Sequence, residues 1–214
     1  METSDESQIV FVCHDQNSVN ECLAKHKNSM IFLVGQKEIN NTDLSRIIIA
    51  RDLPDNIESK PKLLTFTVWY AIIKNDLFTD KKHICIVEHD VYNLPKQIFH
   101  ENGVDVISFI PAEQRFFYCN ISRFMFNKFL THKKVNYVNN ENWFSTSNHS
   151  MKREIIREFV DWYFPDCVTV IEPRDPRNFS FYHERLFWTF LKLRNYTSSF
   201  IRGVVHKERR SHRK

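Results

Sequence analysis

Short apolar runs alternating with helix-patterned stretches predict an α/β fold, a central, mostly parallel mixed sheet flanked by helices. Three observations carry that prediction. Ile84-Cys85-Ile86-Val87 is an unbroken apolar run, and such a run reads as a strand covered on both faces, as inside a parallel sheet. Similar runs at residues 9–13, 30–34 and 47–50 are separated by polar turns and a helical pattern, which right-handed crossovers gather into one sheet. A chain of 214 residues with 42% apolar content fills one generous domain, and two would be cramped.

The elements follow in order. Residues 9–13 form the first strand, stopped by His14-Asp15-Gln16-Asn17, and Val19, Cys22 and Leu23 mark one face of the helix after it. Residues 30–34 and 47–50 are the next strands. Ligands of such sheets collect at the carboxyl ends of the strands, where His14, Asp15, Arg51 and Asp52 stand. Ser59 suits an N-cap and Pro61 a first turn, so a helix is expected from there to Lys74, with Lys60 and Lys62 at its anion-favouring mouth. Lys62, Thr65 and Trp69 share roughly one side of it, which makes either a ligand wall or the flank of a core helix packed by Leu64, Val68 and Ile72. After the strand at 84–87 come a strand at 104–109 and a ring-rich helix at 115–130. The polar loop 142–150 leads into a helix at about 152–163, and a strand is expected at 168–171. A helix at 181–191 opens with His183-Glu184-Arg185. Residues 1–201 are expected to form the domain, and 202–214 a basic tail that is either solvated or in contact with an anionic surface.

Composition removes several classes. The three glycines, Gly35, Gly103 and Gly203, are far apart, so neither a P-loop nor a Gly-rich dinucleotide turn is present. Five scattered cysteines without a CxxC pair suit reduced core residues of a cytosolic protein, with no zinc spacing. The polar, acidic start has no signal-peptide pattern, and no apolar run approaches a membrane span. A cytoplasmic location is the expectation, and the Asn-x-Ser/Thr sequons then carry no meaning.

The most informative motif is the end of the 84–87 run, Glu88-His89-Asp90. In an extended segment, residues i and i+2 point the same way, so Glu88 and Asp90 would converge at the strand end. Two carboxylates together call for a cation. Mg²⁺ or Mn²⁺ is the usual one and also holds phosphate oxygens; the alternative is an acidic strand end paired with Lys or Arg. Trp143, Ser145, Ser147 and Asn148 combine a ring, hydroxyls and an amide, which suits either a sugar ring or helix capping.

Taken in order, Lys62 to Tyr70, residues 84–90, residues 143–148 and His183-Glu184-Arg185-Leu186 resemble a small GT-A-fold glycosyltransferase, similar to the short stand-alone transferases of large DNA viruses. The resemblance spans nearly the whole chain. It departs from the usual pattern in having Glu88 in place of an Asp. It implies a Rossmann-like three-layer sandwich and transfer of a sugar from a nucleotide-diphosphate donor, a UDP-sugar first, to a hydroxyl of a glycan or glycoprotein acceptor. It further implies Glu88, Asp90 and His183 around the metal, and His14, Asp15, Arg51, Lys62, Thr65 and Arg185 around the nucleotide. Trp69, Trp143, Ser145, Ser147 and Asn148 would face the substrates, and Glu184 is a candidate base for an inverting reaction. The other classes that remain are a metal-dependent nuclease, which usually adds a Lys just after the second acid where Val91-Tyr92-Asn93 stands, and a non-catalytic nucleic-acid-binding module.

Overall fold

The computed structural model describes residues 6–35, 38–40, 44–59, 63, 65–95, 98, 103–113, 123–136, 143, 144, 146–170 and 179–205. The chain builds β1 (Ser7–Cys13), α1 (Gln16–Lys25), β2 (Met30–Leu33), β3 (Ile47–Ile49), a 3₁₀ turn (Ala50–Asp52), α2 (Phe66–Lys74), β4 (His83–Glu88), β5 (Val106–Ile110), α3 (Arg123–His132), β6 (His149–Lys152), α4 (Arg153–Val170), α5 (Phe179–Leu193) and β7 (Ser198–Arg202). The seven strands make one sheet in the order β3-β2-β1-β4-β6-β5-β7. β1 runs parallel to β2 and β4, and β5 to β7, while β6 is antiparallel to both of its neighbours.

Alternation along the strands sorts the core. Val10, Val12, Ile84, Ile86 and Val106 face one side and pack with buried residues of α2, α3, α4 and α5. Ile9, Phe11, Cys13, Cys85 and Val87 face the other, beneath Val19 and Cys22 of α1, with Val91, Ile98, Val204 and Val205 completing that layer. Each such aliphatic or ring side chain removed from water contributes roughly 1.5–3 kcal/mol. On the helix-rich side the core is built from rings: Trp69 has ring centroids of Phe66 and Phe187 each 4.8 Å away, and those of His149 and Phe159 each 5.6 Å away.

Four sequence expectations change. Residues 168–170 continue α4 instead of forming a strand, and the strand beside β4 is β6, at residues read as loop and helix start. α2 begins at Phe66, later than the Ser59 start expected. The domain also runs past residue 201: Arg202 closes β7, Val204 and Val205 are buried, and Val205 bridges Val91.

Candidate active site

The sheet order defines the crevice. From β1 the chain moves out through β2 to β3 and then returns to β4 on the other side of β1. Parallel neighbours whose connections leave in opposite directions open a gap at their carboxyl ends. Val12 pairs with Glu88, so the ends of β1 and β4 lie side by side there.

Glu88 is the last residue of β4 and half-buried. Its Oε1 accepts hydrogen bonds from Thr65 Oγ1 at 3.1 Å and Ser147 Oγ at 2.8 Å. Its backbone N–H donates to Asn148 Oδ1 at 2.6 Å. Thr146 Oγ1 accepts from the Asn148 N–H at 3.1 Å and donates to the Phe109 carbonyl at 2.8 Å. The carboxylate is therefore held from the start of α2 and from the 146–148 segment, itself stitched to β5. Hydroxyl donors on an ionised carboxylate make the stronger class of hydrogen bond. Thr65, Ser147 and Asn148 thus meet at the site by gripping Glu88, a role different from the nucleotide contact expected of Thr65 and the substrate contacts expected of Ser147 and Asn148.

The geometry assumed for Glu88 and Asp90 is corrected. The strand stops at Glu88, and a Val91 N–H to Glu88 carbonyl bond of 3.0 Å closes a turn over Glu88-His89-Asp90-Val91. The same-side rule for extended chain does not apply within it. His89 is tied to β1 by its N–H on the Val12 carbonyl at 3.0 Å. Its ring stands edge-on to His14, with centroids 6.0 Å apart. Asp90 is buried.

Other expected site residues land elsewhere. Asp15 is the N-cap of α1: its Oδ1 accepts from the Ser18 N–H at 2.8 Å, and Ser18 Oγ accepts from the Asp15 N–H at 3.1 Å. Such a cap stabilises a helix by about 1 kcal/mol. Arg51 lies in the 3₁₀ turn after β3, 3.5 Å from Asp52. Trp69 is fully enclosed in the ring core, and Trp143 packs with Trp188 and Phe200 at 2% exposure; neither indole offers a face to a sugar. Arg185 is buried with its guanidinium 4.5 Å from the Phe126 ring centre, and Glu184 is half-buried on α5. Lys62 and Ser145 lie outside the described residues.

His183 is also in the core. Its Nδ1 hydrogen-bonds the Tyr163 hydroxyl, and its ring sits among Phe66, Tyr163 and Tyr182. Among the described residues no three His, Cys, Asp or Glu side chains lie close enough together to hold a metal ion, so His183 does not join Glu88 and Asp90 in a ligand triad. Burial lowers its pKa from the usual 6.5 to about 3. His149, whose Nδ1 is 2.9 Å from Ser108 Oγ, is lowered to about 3 by the same cause. The unfolded chain takes up protons at these two positions below pH 6.5 and the folded chain does not. Their contribution is fully present above pH 6.5 and lost as pH falls toward 3, at up to about 1.4 kcal/mol per pH unit for each histidine. Denaturant titrations between pH 7 and 5 should show stability falling with acid, and replacing His149 by Gln should flatten that slope.

One acid escaped sequence reading. Glu58 is 6% exposed, and its Oε2 accepts the N–H of Gly35, which follows β2 at φ +86°. Its Oε1 is buried and makes no hydrogen bond among the described residues. A buried carboxylate oxygen without a donor is expensive, and this one stands at the carboxyl end of β2, one strand from His14. Nothing in the surrounding sequence marks it, apart from a glycine directly after a strand.

Comparison with solved structures places this architecture. The chain superposes on the apo structure of WbbM, a bifunctional glycosyltransferase, with a TM-score of 0.58 and 11% identity over 91% of its own residues. It spans 44% of that longer chain. At this identity the match shows the fold alone, a Rossmann-like α/β sheet similar to the one in that structure. No family model and no curated protein sequence matches. Among the described residues no helix is long and apolar enough to cross a membrane.

Proposed function

We propose that this chain is a metal-dependent glycosyltransferase that moves a sugar from a nucleotide-diphosphate donor, a UDP-sugar, to a hydroxyl of a glycan or glycoprotein. The observation that carries the reading is Glu88, a carboxylate clamped by two hydroxyls at the β1/β4 switch point of a sheet that matches a glycosyltransferase. Glu88 and Asp90 are hard oxygen donors, which suit Mg²⁺ or Mn²⁺, ions that commonly take one or two carboxylates and fill their shell with substrate phosphates and water. Bound there, the ion would supply Lewis-acid stabilisation of the departing diphosphate.

The chain's own part is positioning. Thr65 and Ser147 lock the Glu88 carboxylate before the donor arrives, so no reorganisation is needed at the reacting moment. His14 at the end of β1 and Glu58, bonded to the Gly35 N–H beyond β2, flank the place for the nucleoside. Calorimetric titration with UDP, GDP and CMP, each with and without Mn²⁺, tests the proposal. UDP should bind, and only with metal present. Binding of none of the three, or UDP binding indifferent to metal, overturns it.

A further inference from the structure

A cavity of about 710 Å³ lies on the other side of the sheet, away from the Glu88 side chain. Beneath it lie the buried Ile9 and Phe11 of β1, and its walls are residues 25–29 at the end of α1 and residues 92–94 after β4. Ile9 pairs with Cys85 and Val12 with Glu88, so the floor reaches about 10 Å back along β1 from the crevice, at 3.3 Å per residue. The volume falls within the range of small-molecule sites, roughly 300–1,000 Å³.

The described lining has one sign of charge. Lys25 and Lys27 contribute ammonium groups, and among the described residues no carboxylate lines the cavity. Glu21, one turn back on α1, is 3.7 Å from Lys25. Helix carboxyl ends ordinarily repel anions through their free carbonyls. Here Arg46 donates to the carbonyls of His26 and Ser29, and Ser29 Oγ also donates to His26 at 2.8 Å, which quiets that end. The His26 ring lies flat on Phe11, centroids 4.1 Å apart, and Lys25 sits 4.7 Å over the Tyr92 ring. Burial first, then Lys25 and Arg46, hold His26 below its usual pKa, as expected where positive charge is already concentrated. Asn28, Ser29 and Asn93 add polar groups to the rim.

We infer that this cavity is a second binding site, for a phosphomonoester carried on a flat or apolar body of nucleoside size. The lysines supply point charges for the phosphate, and the half-buried His26, Tyr92 and Leu94 supply ring and apolar surface for the body. The site does not depend on the Glu88 assignment, because it uses other residues on the other face.

Equilibrium dialysis with AMP, ribose 5-phosphate, adenosine and inorganic phosphate tests it, on the unaltered chain, on Lys25→Ala/Lys27→Ala and on Glu88→Gln. AMP should bind saturably, lose at least about tenfold in affinity in the double variant, which is 1.4 kcal/mol, and bind unchanged to Glu88→Gln. Adenosine, inorganic phosphate and ribose 5-phosphate should each bind more weakly than AMP, and ribose 5-phosphate binding as well as AMP overturns the inference. Equal AMP affinity in the double variant, loss in Glu88→Gln instead, or no saturable binding by the unaltered chain each overturns the inference. The lysines are exposed, so the double variant should keep its thermal midpoint.

Discussion

Replacing Glu88 with Gln should reduce sugar transfer by about 10²–10³-fold while leaving the thermal midpoint within a few degrees of the unaltered protein. The magnitude is that of removing one preorganised electrostatic group from a reacting centre. Gln keeps the shape and can still accept from Thr65 and Ser147 through its amide oxygen, so the fold does not register the change. What disappears is the negative charge and one hard oxygen donor. Ser147→Ala separates clamp from charge: the carboxylate remains but loses one of its two hydroxyl donors, and activity should fall about tenfold, in the range of removing a group that orients a ligand. Turnover of a UDP-sugar measured across a Mn²⁺ series reads both variants. Unchanged turnover in Glu88→Gln would falsify the site and return Glu88 to the role of a capped strand end.

The largest loss of stability should come from Trp69→Ala, about 3–5 kcal/mol in denaturant titration, against the 5–15 kcal/mol that typically holds a domain folded. Trp69 has no exposed surface and is ringed by Phe66, His149, Phe159 and Phe187. Its deletion opens a cavity between α2, α4 and α5 that rigid rings cannot close. Trp69→Phe should be far milder. The indole Nε1 has no hydrogen-bond partner among the described residues, so a hydrocarbon ring removes an unsatisfied donor along with the lost volume. If Trp69 instead lined a ligand cleft, the Phe variant would lose binding with little change in midpoint.

The contrast between Trp69 and Glu88 also shows what sequence could and could not reveal. The parallel half of the sheet was readable because β1, β2, β3 and β4 are apolar runs between polar turns. β6 was not, because it is His149-Ser150-Met151-Lys152. Its polar side chains are buried by cross-strand partners such as Ser108, which no local pattern announces. Residues 168–170 have a strand-like composition but extend α4, where helical continuation overrides the weak β preference. At the site, the placement of Glu88 followed from the end of an apolar run. The relation of Asp90 to it did not, since a turn begins at Glu88 and spacing rules hold only inside regular structure. Indoles and hydroxyls expected at the nucleotide or the substrates make contacts inside the protein instead: Thr65 and Ser147 bond a carboxylate, and Trp69 and Trp143 pack against other rings. Glu58 is visible only once burial is known.

The bridge between Val91 and Val205, with the Tyr92 N–H on the Val204 carbonyl at 2.7 Å, joins the turn holding Asp90 to the last described stretch of chain. A load applied at residue 205 therefore reaches that turn before it reaches the β5–β7 ladder. Two backbone contacts are peeled first, one after another like a zipper, whereas the five-residue register of β7 on β5 follows later. A force-spectroscopy handle placed after Val205 would tug on the Glu88–Val91 turn of a sheet still intact, and tension, a variable no solution condition mimics, becomes a way to loosen that turn.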